Sequence, residues 1–364
     1  MNRRQFLRQA AAAGGVLFTG CAWSDAAAQT RSATARPAGP VTIGRRRILT
    51  IDAHAHCVIP DAVRLLGKPV NREADLRIEG DALAVRLAAM DAQRIETAVL
   101  SIVPNWYDAP RDLAAQVVSL QNAQLAEFCG GHADRFSALA TVALQFPDAA
   151  ADQLEHAVRT LGFRGVAIAT TVAGVPLSDR RFDPFWAKAE SLDVVVFIHP
   201  IDMPDPGGRL AGNGVLGKVI GHPLETTLAL SHLIFEGTLD RFSGLKICAS
   251  HGGGYLPSYM HRSDHGCSVF PEQCTPGMPK RRPSDYLKQM YFDSLVFEPE
   301  ALRHLAAEVG PDRIVMGTDY PYPWTTDPVR HILETPGLSN ADREAMLGGT
   351  VAKLLGLAGP ARAR

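Results

Sequence analysis

The sequence has no excess of charge of either sign, with 37 Lys and Arg against 38 Asp and Glu in 364 residues. Because no basic run and no acidic tail is present, the composition excludes a nucleic-acid-binding protein and a solvating segment. No apolar stretch approaches the ~20 residues that cross a bilayer. Six cysteines are too few and too scattered for disulfides to stabilise a chain of this length. The hydrophobic residues, 46% of the total, must therefore form a large core.

Strand-like and helix-like segments alternate from residue 48 to residue 357, as in a parallel sheet with crossover helices. The predicted strands are residues 48–56, 96–103, 136–144, 163–171, 194–200, 245–251, 291–296 and 313–319. The predicted helices are residues 81–94, 111–130, 148–161, 182–192, 222–240, 254–265, 299–309 and 326–335, with a closing helix near 341–357. Eight such units predict an α/β protein of the (β/α)₈ TIM-barrel class. An open doubly wound sheet is the alternative, but no G-x-G-x-x-G follows the first strand.

The first strand ends in two histidines, His54 and His56, separated by one alanine. Alternate side chains of a strand share a face, so the two imidazoles project together. Two adjacent imidazoles at the end of a strand make up half of a typical metal site. A chance pair on an exposed strand is the alternative interpretation of this stretch alone.

Three other predicted strands also end in polar residues that bind metals. His199 follows strand five, His251 follows strand six and Asp319 follows strand eight. In a barrel the carboxyl ends of the strands form one rim, where catalytic residues gather. A lone histidine is usually a core or surface residue, but the joint placement of these three with the first pair predicts a metal centre.

Three neutral imidazoles and one carboxylate suit Zn²⁺, with Mn²⁺ or Fe²⁺ as alternatives. We assign His54, His56, His199 and Asp319 as the ligands. Strand four carries no Lys or Glu that would bridge a second ion, so we expect one divalent metal. His251 is then a base near the metal-bound water, and a fifth ligand or a hydrogen-bonded spectator is its alternative role.

Several motifs together resemble a known family. They are Asp52-x-His54-x-His56, Phe197-Ile198-His199-Pro200-x-Asp202-Met203, Ser250-His251-Gly252-Gly253-Gly254, Tyr291-Phe292-Asp293-Ser294 and Gly317-Thr318-Asp319-Tyr320-Pro321. Over residues 48–357 the chain resembles the aminocarboxymuconate-semialdehyde decarboxylase branch of the amidohydrolase superfamily. The resemblance implies a (β/α)₈ barrel, one divalent metal that is usually zinc, and non-oxidative decarboxylation of an unsaturated or aromatic carboxylic acid.

The resemblance also implies a substrate site shared by two subunits. Arg262 falls where members of the family place an arginine that reaches the neighbouring subunit's substrate, which implies a homodimer; a surface arginine is the alternative. Asp293, at the end of strand seven, either assists in protonating the substrate carbon or hydrogen-bonds a ligand histidine. Trp106 and Tyr322 lie on rim loops, where they either stack on a planar substrate or cover an edge of the core.

Two other functions use the same residues. A metal-dependent hydrolase would attack the carbonyl of a lactone, amide or ester with metal hydroxide, while His251 protonates the leaving group. A periplasmic binding protein would keep the barrel without turnover. Release of CO₂ from an aromatic or muconate-type acid distinguishes the decarboxylase from both alternatives.

The N-terminal segment is typical of an export signal. Arg3 and Arg4 precede a mild apolar segment at 10–19, which is the layout of a twin-arginine signal peptide; a basic amphipathic helix is the alternative. This route exports folded proteins, which suits a protein that must load a metal in the cytoplasm. We therefore expect a signal peptide at 1–29 and a periplasmic mature protein.

The remaining boundaries follow from composition. Residues 30–47, rich in Ala, Pro, Arg and Gly, are expected to be a linker, and 358–364 a C-terminal tail. A lipoprotein-like box ends at Cys21, so contact with a membrane is expected only if this cysteine is lipidated. A periplasmic location would permit a disulfide between Cys267 and Cys274, with two free thiols as the alternative.

Overall fold

A computed structural model describes residues 39–68, 76–103, 106–205, 207–274 and 279–357. The predicted signal peptide at 1–29, Cys21 within it and the predicted tail at 358–364 lie outside the described residues. No helix within the described ranges is both long enough and apolar enough to cross a bilayer.

Eight parallel strands form the centre of the fold. They are β1 (Ile51–Cys57), β2 (Thr97–Ile102), β3 (Phe136–Ala138), β4 (Gly165–Ala169), β5 (Val195–His199), β6 (Lys246–Ala249), β7 (Tyr291–Asp293) and β8 (Ile314–Val315). Hydrogen bonds pair β1, β2 and β3 in one sheet and β4 to β8 in another. Single parallel bridges join the two sheets, between Ala140 and Val166 and between Ala55 and Tyr320. The strands therefore close into a ring in chain order, and the predicted (β/α)₈ barrel is confirmed.

Helices connect the strands around the outside of this ring. They are α1 (Pro60–Leu65), α2 (Gly80–Ala92), α3 (Arg111–Gly131), α4 (Pro147–Arg159), α5 (Asp183–Ser191), α6 (His222–Phe235), α7 (Thr238–Arg241), α8 (Leu256–Val269), α9 (Pro271–Cys274), α10 (Pro299–Val309), α11 (Pro328–Glu334), α12 (Asn340–Glu344) and α13 (Thr350–Leu355). Single π-helical turns precede α6, at Gly217–Gly221, and α13, at Ala345–Gly349. The helix predicted at 222–240 is interrupted at Gly237, whose φ of 70° lies in the left-handed region that glycine adopts without strain.

One predicted strand is shorter than expected. The apolar stretch 136–144 pairs as a strand only through Ala138, with a single further bridge at Ala140. Beyond it, the side-chain amide of Asn122 on α3 bonds both the N–H and the C=O of Thr141, each at 2.9 Å. The backbone there is satisfied by a side chain instead of a neighbouring strand, which the apolar pattern alone does not reveal.

The interior of the barrel is filled by side chains from strands on all sides. Ile51, Val99, Val195 and Val315 form one buried cluster, together with Val351 on α13. The C-terminal helix therefore closes one end of the barrel, as its position predicts. A larger cluster fills the layer between the strands and the surrounding helices.

Two smaller features stand at the edges of the barrel. Thr42–Ile43 and Arg46–Arg47 pair as a short antiparallel hairpin, within the stretch that the composition favours as a linker. Val41, just before it, is buried and belongs to the core. Cys267 and Cys274 form a disulfide that joins α8 to α9.

Candidate metal centre

The polar residues predicted at four strand ends meet at one rim of the barrel. His54 Nε2 lies 3.0 Å from His56 Nε2 and 3.2 Å from Asp319 Oδ1. His56 Nε2 lies 2.8 Å from the same carboxylate oxygen and 3.2 Å from His199 Nε2. His199 Nε2 is 3.8 Å from that oxygen. Four ligand atoms from β1, β5 and the segment after β8 therefore surround one point.

A buried carboxylate connects β1 to the segment that carries Asp319. Asp52 accepts hydrogen bonds from the Thr318 hydroxyl at 2.5 Å and from the backbone N–H groups of Thr318 and His54 at 3.1 and 3.0 Å. Burial raises the pKa of Asp52 to about 6, although these hydrogen bonds act in the opposite direction. Asp319 has a φ of 61°, a left-handed conformation that Asp tolerates better than most residues. Asp319 therefore adopts this conformation immediately after Thr318, the residue that Asp52 holds by two hydrogen bonds.

The outer ring nitrogens of the first two histidines are both hydrogen-bonded. His54 Nδ1 lies 2.7 Å from Asp293 Oδ2, and His56 Nδ1 lies 2.9 Å from Ser101 Oγ. The Ser101 hydroxyl donates to the Ala55 carbonyl at 3.3 Å, so it accepts from His56. With Nδ1 as the donor in both rings, the neutral form of each ring presents the lone pair of Nε2 to the cluster.

The arrangement fits a divalent cation. A tetrahedral zinc site with bonds of about 2.0–2.1 Å has ligand-to-ligand edges of about 3.3 Å, close to the 2.8–3.8 Å separations here. Lone pairs this close repel one another unless a positive charge lies between them. Asp319 Oδ1 is buried and receives no hydrogen bond within the described ranges, which leaves it available to a metal. The residues present therefore fit the metal that the sequence predicts.

The electrostatics of the cluster also favour a cation. Burial disfavours the charged form of His54, but the carboxylates of Asp319 and Asp293 together outweigh it and raise its pKa to about 10. Burial prevails at His56 and lowers its pKa, and it lowers the pKa of His199 well below the usual value. For Asp319, the histidines outweigh burial and hold its pKa well below the usual value. The two carboxylates thus stabilise positive charge here, while burial keeps the imidazoles of His56 and His199 neutral.

His251 borders the same point from the other oxygen of Asp319. Its Nε2 lies 3.4 Å from Asp319 Oδ2, whereas the other three imidazoles face Oδ1. A second grouping is also compact, since ligand atoms of His54, His199, His251 and Asp319 all lie within 4.8 Å of one another. In the set with His56, five of the six ligand-to-ligand separations lie between 2.8 and 3.8 Å, close to the edges of a tetrahedron, so the geometry favours it over the set with His251.

Asp293 lies behind the cluster. Its carboxylate accepts from His54 Nδ1, from the backbone N–H groups of His251 and Gly252 at 2.8 Å each, and from that of Leu295 at 3.1 Å. The residue is completely buried. Four donors occupy the two oxygens, which supports the second of its predicted roles, the hydrogen bond to a ligand histidine. Gly317 allows this close packing, because a Cβ there would lie 2.9 Å from His54 Cβ.

The three residues predicted to bind substrate lie at different distances from the cluster of candidate metal ligands. The Tyr322 ring lies 6.1 Å from the His56 ring, edge to face, and the residue is 43% exposed. Trp106 packs against the core, with Lys68 Nζ 4.4 Å from the centroid of its ring. Arg262 is exposed on α8 and takes no part in the contacts that define the cluster. Only Tyr322 among the three stands beside the candidate metal ligands.

Four polar residues near the cluster have no role predicted from the sequence, although Asp202 belongs to one of the family motifs. Ser101 ends β2, so the rule that found the histidines, a polar residue at the end of a buried strand, could have found it. Asp202 and Lys218 belong to the 201–221 segment, where no periodic pattern assigns a direction to a side chain, and His222 is the first residue of the helix predicted at 222–240. His222 approaches His199 and His251, with ring centroids 6.5 and 6.3 Å apart.

Known proteins resemble this chain over most of its length. The profile of the Amidohydrolase family matches residues 51–357. The chain is 31% identical over 277 residues to the 2-amino-3-carboxymuconate-6-semialdehyde decarboxylase of Dictyostelium discoideum, covering 75% of this chain and 76% of that one. It is 34% identical over 278 residues to the gamma-resorcylate decarboxylase of Rhodococcus jostii, covering 71% and 83%. Its fold matches a dihydroxybenzoic acid decarboxylase from Polaromonas sp., solved with bound manganese and the inhibitor 2-nitroresorcinol, with a TM-score of 0.71, 25% identity, and coverage of 85% and 97%.

Proposed function

The chain belongs to the Amidohydrolase family, and we propose that it is a metal-dependent decarboxylase of an unsaturated or aromatic carboxylic acid. The observation that carries this proposal is the convergence of His54, His56, His199 and Asp319 on one point beside His251. The relatives named above are decarboxylases of acids of this kind. The reaction is R–COO⁻ + H⁺ → R–H + CO₂, so the site must bind an anion and deliver one proton.

Zinc is the metal we assign to the four ligands, because three imidazoles and one carboxylate are a common zinc donor set. Manganese bound to the Polaromonas enzyme supports a site that also accepts Mn²⁺. When bound, the divalent ion supplies Lewis-acid stabilisation of the negative charge that develops as the C–CO₂ bond breaks. The hydrogen bond from His54 to Asp293 holds one ligand ring in place for this purpose.

His251 is the residue we assign to proton transfer. Its Nε2 faces the rim beside Asp319 Oδ2, whereas the three imidazoles that would hold the metal face Asp319 Oδ1. Its backbone N–H is held by Asp293, which fixes the start of the turn on which the ring stands. From this position Nε2 donates the proton that replaces CO₂ on the substrate carbon.

The substrate is held by aromatic and cationic groups around the rim. Tyr322, beside His56, is placed to contact a planar ring, and Trp106 is the second aromatic residue we assign to substrate binding. Arg262 acts from a neighbouring subunit in a homodimer. Tyr255, which directly precedes α8, is exposed, as are Tyr259 and Arg262 on the helix; the three lie four and three residues apart and so share one helix face, which supports an interface there.

A mixing experiment tests this shared site. The inactive variants Arg262→Ala and His251→Asn are combined and allowed to exchange subunits. Heterodimers regain one site that has both His251 and the partner's arginine, so up to about a quarter of wild-type activity returns. Light scattering measures the oligomeric state of the wild type. A protein that is monomeric by this measurement and fully active would contradict the shared site.

We assign the mature protein to the periplasm, on the basis of the twin-arginine pattern at Arg3 and Arg4 and the lipid-box cysteine at Cys21. Cell fractionation tests this assignment, and full-length protein in the cytoplasm would contradict it. Membrane association that disappears in Cys21→Ser would identify a lipid anchor, whereas release of soluble protein would identify cleavage of a signal peptide.

The proposed activity is tested by loading the purified protein with Zn²⁺ or Mn²⁺ and screening aromatic and unsaturated acids for CO₂ release. The proposal expects CO₂ and the decarboxylated ring or alkene from at least one acid, and no turnover after chelation. Water addition to lactones, amides or esters without CO₂ release would identify the site as a hydrolase. Binding of acids without either reaction would identify a binding protein.

A further inference from the structure

Three charged or polar side chains gather on the segment that follows β5. Lys218 Nζ lies 3.0 Å from Asp202 Oδ1 and 3.3 Å from His222 Nε2, and His222 Nε2 lies 2.9 Å from the same carboxylate oxygen. Asp202 comes three residues after His199, and Lys218 lies in the π-helical turn before α6. We refer to Asp202, Lys218 and His222 as the rim triad.

The rim triad stands next to the candidate proton donor. The His222 ring lies 6.3 Å from the His251 ring at an interplanar angle of 27°, and 6.5 Å from the His199 ring in an edge-on arrangement. Only 14% of the His222 side chain is exposed. His222 therefore lies within 3.3 Å of Lys218 Nζ and also stands beside His199 and His251. A group bound at Lys218 is a different substituent from the one that reacts at the cluster.

The contacts of the triad allow an anion to replace Asp202. The Asp202 side chain is 82% exposed, and its carboxylate accepts hydrogen bonds from His222 and Lys218, which lower its pKa. Lys218 is 48% exposed, and an ammonium group has three donors, of which the bond to Asp202 uses one, because His222 Nε2 donates to Asp202 and so does not accept from Lys218. An ion pair this exposed contributes little free energy, so a second carboxylate competes with Asp202 at small cost.

We propose that Lys218 and His222 form a subsite for a second anionic group of the substrate, and that Asp202 occupies this subsite when no ligand is bound. The inference rests on the proposed function and narrows it to planar acids with two carboxylates or equivalent anionic groups. The reacting carboxylate lies at the metal cluster and the second one at Lys218. Asp202 then acts as a displaceable counter-ion that screens Lys218 from other anions.

The test compares two probes that differ by one carboxylate, benzoate and isophthalate, by calorimetric titration of the metal-loaded full-length protein. Lys218→Met should weaken isophthalate binding by about fivefold or more and leave benzoate binding unchanged. Asp202→Asn should tighten isophthalate binding, because the competing carboxylate is gone. Lys218→Arg should restore the preference for isophthalate, and Lys353→Met, an exposed lysine on α13, should match the wild type.

The opposite signs of the two single variants distinguish an anion subsite from a structural triad. If Lys218→Met and Asp202→Asn both weaken isophthalate, or shift both probes equally, the subsite is overturned while the proposed function stands. If the wild type binds isophthalate no more tightly than benzoate, the subsite is overturned, and CO₂ release in the acid screen decides the proposed function separately. If isophthalate binding weakens with added salt in the wild type but not in Lys218→Met, the charge of Lys218 is the cause.

Discussion

Asp293 accepts a hydrogen bond from His54 across the barrel, with 2.7 Å between Oδ2 and Nδ1, and both residues are completely buried. The bond connects the end of β7 to the end of β1. It fixes Nδ1 of His54 as the donor and directs Nε2 to the cluster. The same carboxylate holds the backbone N–H of His251. One buried group therefore orients both a candidate ligand and the candidate proton donor.

Replacing Asp293 with Asn should weaken metal binding by about 10- to 100-fold, as loss of a carboxylate behind a ligand histidine commonly does. Competition with a chromophoric chelator measures the affinity. Asp312→Asn, an exposed residue before β8, is the matched control and should bind metal like the wild type. Lost activity with unchanged metal affinity would instead place Asp293 in direct contact with the substrate.

Replacing His251 with Asn should lower kcat by about 10²- to 10⁴-fold, because it removes the group that delivers the proton. Metal content should stay near one per chain, since His251 faces Asp319 Oδ2 and not the point shared by the other ligands. Mass spectrometry of the metal and steady-state kinetics measure the two effects separately. A variant that loses its metal would make His251 a ligand.

Gly317→Ala tests how tightly the cluster is packed. The new Cβ would lie 2.9 Å from His54 Cβ and 3.1 Å from Asp293 Cβ, so these two side chains must move apart. We expect weaker metal binding and a loss of about 1–3 kcal/mol in unfolding free energy. Gly130→Ala on α3 meets nothing within 4 Å and should stabilise the helix by about 0.5–1 kcal/mol. Metal affinity that is equal in the two variants would contradict the packing argument.

Much of the site follows from the sequence because strands give direction. The period of two places His54 and His56 on one face, and the ends of buried strands place His199, His251 and Asp319 on one rim. The closure of the ring and the position of α13 follow from the same alternation. Local sequence patterns are enough to predict these elements, because the folded protein keeps the strand and helix periods that the sequence shows.

The parts that the sequence does not predict depend on long-range contacts. Asn122 ends the pairing after β3 from a distant helix. Asp52 accepts a hydrogen bond from Thr318, which lies 266 residues away in the sequence. Two members of the rim triad, Asp202 and Lys218, have no periodic pattern, because their segment is neither strand nor regular helix before α6. The sequence leaves two roles open for Asp293, protonation of the substrate carbon and a hydrogen bond to a ligand histidine. Only the four donors around its carboxylate in the folded protein favour the second role.

The acid sensitivity of stability should depend in part on His331 on α11. Burial lowers its pKa, although Glu298 acts in the opposite direction, and its Nε2 is buried without a hydrogen-bond partner in the described part of the chain. The unfolded chain therefore takes up a proton at higher pH than the folded protein. The stability from neutral His331 is present above pH ~6.5 and is lost as the pH falls below it.

His331→Gln should thus lose less unfolding free energy than the wild type between pH 7.5 and 5.5. Urea unfolding at both pH values, with the same metal load, measures the difference. His304→Gln changes an exposed histidine on α10 and should follow the wild type. Equal pH dependence in His331→Gln and the wild type would contradict the effect of burial.

The central claim is that four side chains from distant parts of the sequence bind one cation. Metal analysis of the wild type and of Asp319→Ala, purified side by side and both folded by circular dichroism, tests it most directly. We expect about one divalent ion per wild-type chain and less than about a tenth of that in the variant. Equal metal content in the two proteins, or none in the wild type, would contradict the account.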